Sequence, residues 1–154
     1  MKRTVLLLAI ALVAFPAGAM AQTAADEEAI RQTSLDYIEG WYTGDAERME
    51  RALHPKLAKR MAMTNPATGE SQLNEMGAEQ LVAATRSGYG KQTPESERRM
   101  DVTILDVYES VAVVKVVAKD WVDYLQIVEF DDRWVIINVL WELTPEAKAQ
   151  ARNR

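Results

Sequence analysis

WVDYLQIVEF (residues 121–130), then the dipeptide Asp131-Asp132, then RWVIINVLWEL (residues 133–143), is the stretch that decides the fold. Both runs are rich in aromatic and β-branched residues, and the acidic pair between them reads as the turn of a hairpin. With a two-residue turn Phe130 faces Arg133, and the same count sets Asp123 opposite Leu140. One sheet face then carries Trp121, Asp123, Leu125 and Ile127 beside Trp134, Ile136, Asn138 and Leu140. The other carries Val122, Tyr124, Gln126 and Val128 beside Val135, Ile137, Val139 and Trp141. Both faces are apolar, which a sheet with one face in water does not show. Helices can cover only one of them, and a second copy of the sheet is the simplest cover for the other. Asp123 stands out, because strands tend to exclude Asp and this one falls on a largely apolar face.

Working outward, Met100–Val107 and Ser110–Ala118 are two more β-rich segments with short connections, so all four strands run antiparallel in sequence order. Ala112, Val114, Val116 and Ala118 fall on the face of Asp123. Small side chains opposite tryptophans leave room there for a cavity. The first half of the chain reads differently. Asp26 can cap a helix whose stripe is Ile30, Ser34, Tyr37, Ile38 and Trp41. Asp45 can cap a shorter second helix, which His54-Pro55 stops. Leu57–Met63 reads as a strand and Thr64–Gly69 as a hairpin tip. A third helix spans about Ala78–Arg86. Helices first and a meander afterwards is an α+β domain, a curved antiparallel sheet with three N-terminal helices on its concave face. Thr144-Pro145-Glu146 can cap one more turn in a C-terminal tail, residues 144–154.

The first 21 residues read as a secretory signal peptide. Lys2 and Arg3 precede an apolar run, Pro16 breaks it, and Ala19-Met20-Ala21 supplies the cleavage site. The run is shorter than the ~20 apolar residues needed to span a membrane. A lipid anchor needs a Cys, and the chain has none. The expected address is the periplasm, with one domain over residues 22–143 and no membrane anchor after cleavage. Without Lys2 and Arg3 the formal charge falls from −5 to −7, which gives nucleic acid no electrostatic footprint. One His and no Cys leave no basis for a zinc or copper site, no organic cofactor motif is present, and no Ser/His/Asp or Cys/His set can be assembled.

Tyr37-Ile-Glu-Gly40-Trp41-Tyr-Thr-Gly44-Asp45 with Leu53-His54-Pro55 resembles the opening of nuclear transport factor 2-like domains. Thr85-Arg86, Gly88, Gly90-Lys91, Asp123-Tyr124-Leu125 and Trp134 to Trp141 continue the likeness, which is nearest to the bacterial branch labelled "putative lumazine-binding", related to the polyketide-cyclase-like group. The resemblance implies a cone-shaped fold with helices wrapped on a bent sheet, a pocket between them, and homodimers through the outer sheet surface. It supplies no catalytic residue set. Related pocket enzymes, the ketosteroid isomerases and small polyketide cyclases, use an Asp or His in the cavity.

Three functional readings follow. In the first, the protein binds a small molecule, a flat heterocycle or another hydrophobic ligand, in a cavity bounded by Tyr37, Trp41, Asp123, Trp134 and Asn138, with Asp123 as polar anchor. In the second it is a cofactor-free isomerase, dehydratase or cyclase. Asp123, or less readily His54, is then the general base, and Asn138 or Tyr37 donates to an oxyanion. In the third it is a dimeric interaction protein without ligand. Structural roles compete at each position. Asp123 can be a buried acid bonded to Asn138 or an indole, His54 can end a helix favourably, and Tyr37, Trp41 and Tyr42 can be plain core.

Overall fold

The computed structural model describes residues 17–65 and 67–152. Its elements are α1 (Ala17–Thr43), α2 (Ala46–Ala52), β1 (Leu53–Thr64), β2 (Ser71–Gly77), α3 (Ala78–Arg86), β3 (Asp101–Tyr108), β4 (Val111–Val117), β5 (Trp121–Phe130), β6 (Arg133–Leu143) and α4 (Pro145–Arg152), with short 3-10 turns at Tyr89–Gln92 and Glu95–Glu97. The expected signal peptide lies outside the described residues over positions 1–16. The fold is α+β: six strands in the order β2-β1-β6-β5-β4-β3 form one curved sheet, with helices packed on one face. No described helix is long and apolar enough to cross a membrane.

The β5–β6 hairpin turns where the sequence places it. Asp131 and Asp132 both adopt positive φ (49° and 57°), the left-handed backbone that matches strand twist in a two-residue turn and that Asp tolerates better than most residues. Phe130 pairs with Arg133 and the register holds as far as Ile127 opposite Ile136. Gln126 then pairs with Asn138, leaving Ile137 as an extra residue in β6. A bulge of this kind bends its strand and reverses the alternation beyond it. Asp123 therefore faces Trp141 and not Leu140. Beyond the bulge Val139 and Trp141 join the concave face. Asn138 and Leu140, expected there, turn to the convex side, where Leu140 is 61% exposed and the Asn138 amide donates to Gln126 Oε1 at 3.0 Å.

A second correction concerns β1. It pairs antiparallel with β2, as the hairpin tip requires, but parallel with β6, so the sheet is mixed. Ala58, Lys59 and Arg60 lie beside Asn138, Val139 and Leu140. Leu57, Lys59 and Met61 consequently point into the core, and all three are buried.

The helices follow the sequence pattern with two adjustments. Asp45 caps α2, accepting from Arg48 N at 2.9 Å. Asp26 does not cap α1, which begins earlier; its carboxylate accepts from Trp134 Nε1 at 3.4 Å. Arg48 clamps α2 to α1, donating to Asp36 at 2.6 Å and pairing with Glu39. Ile30, Tyr37, Ile38 and Met49 meet Val114, Val116, Leu125, Ile127 and Ile136 in the core, where each large aliphatic side chain contributes roughly 1.5–3 kcal/mol by leaving water. At the C-terminus, Thr144 Oγ1 accepts from Ala147 N and starts α4.

Candidate functional site

The parallel β1–β6 pairing sets Lys59 against Asp123, two strands away, beneath α1. Asp123 is 0% exposed and both its oxygens are taken. Oδ1 accepts from Lys59 Nζ at 2.5 Å; Oδ2 accepts from Trp121 Nε1 at 2.6 Å and from Tyr37 Oη at 3.1 Å. Lys59 Nζ also donates to Tyr37 Oη at 2.7 Å. A buried carboxylate is costly unless paired and hydrogen-bonded, and these three donors meet that cost. The arrangement closes a triangle of Asp123, Lys59 and Tyr37 at the junction of α1, β1 and β5.

Lys59 and Tyr37 of this triangle face a cavity of ≈ 170 Å³. Tyr37, Trp41 and Met49 from the helices roof it, and Lys59, Trp121 and Trp141 from the sheet floor it. Trp41 and Trp121 meet edge to face with centroids 6.3 Å apart, an arrangement aromatic rings favour. Lys59 Nζ sits 4.8 Å from the Trp141 ring centre and 5.4 Å from that of Tyr37, within cation–π range of both. Trp41 is fixed from behind by Gly90: a Cβ there would collide with the Trp41 carbonyl and ring, so only glycine lets the Tyr89–Gln92 turn lie so close.

Among the described residues Lys59 supplies the only formally charged side chain of the lining. Burial pulls its ammonium below the ordinary lysine range, and the Asp123 carboxylate offsets part of that pull. Burial, and then the negative charge of Asp123, hold the Tyr37 phenol well above its usual value, so it stays protonated and remains a donor. The site thus presents a nearly neutral ion pair to an apolar, aromatic room. Among the described residues no group of three His, Asp or Glu side chains could hold a metal ion.

Of the residues expected around a cavity, Tyr37 and Trp41 line it. Asp123 stands behind Lys59 and Tyr37 and is not part of the wall. Trp134 is on the concave face but at its other end, bonded to Asp26, and Asn138 lies on the convex face. His54 is the second residue of β1, not a helix end; its Nδ1 accepts from Lys56 N at 3.0 Å and its ring packs edge-on against Phe130, away from the cavity. Tyr42 is core, its hydroxyl accepting from Lys119 N. Ala112, Val114, Val116 and Ala118 are buried in the core, and none of them lines this cavity. Lys59, Trp121 and Trp141 are wall residues that the sequence reading did not assign to the site. Lys59 carried a signal: in Leu57–Met63 it holds the inward phase, between Leu57 and Met61.

The fold recurs in solved structures. A nuclear transport factor 2-like protein from Shewanella baltica superposes with a TM-score of 0.63 at 15% identity, over 79% of this chain and 96% of that one. One from Silicibacter pomeroyi gives 0.61 at 16% identity, over 79% and 98%. One from Novosphingobium aromaticivorans, with a cystatin-like fold, gives 0.57 at 14% identity, over 85% and 92%. Identities this low speak for the fold alone. No curated protein matches the chain. A family model does, over residues 25–142, from the first turns of α1 to the end of β6. The chain belongs to the family described as "Putative lumazine-binding".

Proposed function

We propose that the protein is an exported small-molecule-binding domain whose ligand is compact, planar, mostly apolar and uncharged, with one acceptor atom directed at Lys59. The family description supports a small-molecule ligand. The observation that carries the finer reading is the neutralised lysine. Lys59 already has its counter-ion in Asp123 at 2.5 Å, so an anionic ligand would leave a net negative charge buried, whereas a carbonyl or ring nitrogen would add a hydrogen bond without that cost. Size narrows the class further. An apolar cavity of ~150 Å³ admits a benzene ring, so ≈ 170 Å³ suits a single substituted ring.

Direct proton abstraction from a ligand by Asp123 draws no support from a carboxylate that is enclosed and stands behind the cavity wall. A homodimer through the convex face belongs to the proposal. That face exposes Tyr108, Tyr124 and Leu140 around a groove lined by Val113, Val128 and Ile137, and an apolar sheet surface of this kind is characteristic of an interface.

Titration of tryptophan fluorescence with benzamide and with benzoate tests the ligand class, since Trp41, Trp121 and Trp141 surround the cavity. Benzamide is expected to bind the tighter of the two. Equal or stronger binding of benzoate overturns the neutral-ligand reading. Native mass spectrometry of the protein purified from periplasm tests export, the dimer and a retained ligand together.

A further inference from the structure

The geometry points to Lys59 as a reactive amine that captures a small aromatic aldehyde in the cavity as a Schiff base, with Asp123 and Tyr37 moving the protons. This rests on the cavity being the ligand site. Three observations meet at Nζ. The amine stands at an apolar, tryptophan-walled floor, and its side chain is only 10% exposed. Two of its three N–H positions go to Asp123 Oδ1 and Tyr37 Oη, and among the described residues the third has no hydrogen-bond partner. The two bonded groups are of the types a condensation needs, a carboxylate that can hold a proton and a phenol that can relay one.

Atoms and charges balance using these groups alone. The ammonium passes one proton to Asp123 Oδ1, and the nitrogen lone pair attacks the aldehyde carbon. A C–N bond forms and the carbonyl π pair moves to oxygen. That oxygen takes a proton from Tyr37, which regains one from the newly attached nitrogen. The nitrogen lone pair then expels the hydroxyl, which leaves as water with a proton from Tyr37, and Tyr37 regains one from Asp123 behind it. The product is a protonated imine on Lys59, with Asp123 again a carboxylate and Tyr37 again a phenol. No oxidant or reductant enters. Burial favours both halves of the reaction, because it holds the lysine below its ordinary range and limits the water that would reverse the imine.

Reductive trapping tests this. The periplasmic protein is incubated with benzaldehyde and cyanoborohydride near neutral pH, and the benzyl adducts are mapped by peptide mass spectrometry. Lys56, Lys115, Lys119 and Lys148 serve as internal comparisons in the same sample. Label at Lys59 is expected to exceed that at each of these several-fold, because burial leaves more of its amine unprotonated near neutral pH. Lys59→Arg keeps the positive charge beside Asp123 but has no primary amine to condense, and should lose the adduct while retaining its circular dichroism spectrum. Label confined to the comparison lysines overturns the proposal. Benzamide binding without a Lys59 adduct also overturns it, yet leaves the ligand reading standing. Failure of both benzamide binding and labelling defeats the two together.

Discussion

The two faces of the sheet come from the same strands and look equally apolar in sequence, yet they are finished in different ways. The concave face is closed by α1, α2 and α3 and contains the buried Lys59–Asp123 pair. The convex face keeps Tyr108, Tyr124 and Leu140 between 44% and 69% exposed. What separates them is a single extra residue, Ile137, which turns Trp141 inward and Leu140 outward. Hydrophobicity alone therefore does not say which face is interior. The polar groups do: a buried ionic triangle needs a defined set of partners, and only the helix-covered face provides them. An apolar residue on the convex face can be wet at modest cost, whereas Asp123 cannot be left unpaired.

The largest effect should come from breaking that triangle. Asp123→Ala strands the Lys59 ammonium and leaves Trp121 Nε1 without its acceptor. Loss of one partner of a buried ion pair is expected to cost about 3–5 kcal/mol in urea denaturation. The double variant Lys59→Met, Asp123→Leu removes both charges and should recover most of that loss, as apolar replacement of whole buried pairs often does. If the double variant is as unstable as the single one, the pair is not what distinguishes the two faces.

Gly90→Ala should come next, at about 1–3 kcal/mol, the usual cost of overpacking. The new methyl meets the Trp41 carbonyl, which is backbone and cannot swing away. The same change should weaken benzamide binding, because Trp41 roofs the cavity; unchanged affinity with lowered stability would separate the packing role from the ligand role.

Alkaline pH offers a smaller but signed effect. Lys59 holds its proton less tightly in the folded chain than in the unfolded one, so its contribution to stability grows as pH rises toward 10.5. Tyr37 holds its proton more tightly when folded, so its contribution is complete below 10.0 and is lost as pH rises above that value. Melting temperature should hold or rise slightly to about pH 10 and then fall. In Tyr37→Phe, whatever its overall stability, the part of the fall due to this residue disappears. A wild-type alkaline limb unchanged in Tyr37→Phe would show that Tyr37 does not titrate as its burial requires.

Much of this fold was legible because its signals are local. The hairpin count around Asp131-Asp132, the Asp45 cap and the phases of β4 and β5 each depend on residues within a few positions of one another. The site was less so. Asp123 stood out as an acid on an apolar face, but its partner Lys59 lies 64 positions away and meets it only through the parallel β1–β6 pairing, which no short connection announces. The bulge at Ile137 is equally silent, since nothing in Ile136-Ile137-Asn138 marks which residue goes unpaired. That one slip moved Asn138 and Trp141 to the wrong faces, exchanging a wall residue for a surface one. His54 misled for a related reason: Pro55 was read as ending the helix there, whereas α2 ends at Ala52 and His54 already belongs to β1.

The smallest effect on stability should come from the convex face, and there it is the assembly that should respond. Tyr124 and Leu140 are direct cross-strand partners, flanked in the same row by Lys115 beside Tyr124 and Arg60 beside Leu140. Replacing both with lysine gives four consecutive basic side chains across β1, β6, β5 and β4. In a dimer that buries this row the added like charges face their counterparts and should drive the protein to monomer, read by light scattering at matched concentration. Within one protomer both positions are open to water, and each change should stay within about 0.5 kcal/mol. A monomeric wild type would remove the interface from the proposal, and the convex face would then be an apolar surface that the protomer keeps wet. A dimer that survives both lysines would place the contact elsewhere and leave Tyr124 and Leu140 as ordinary surface residues.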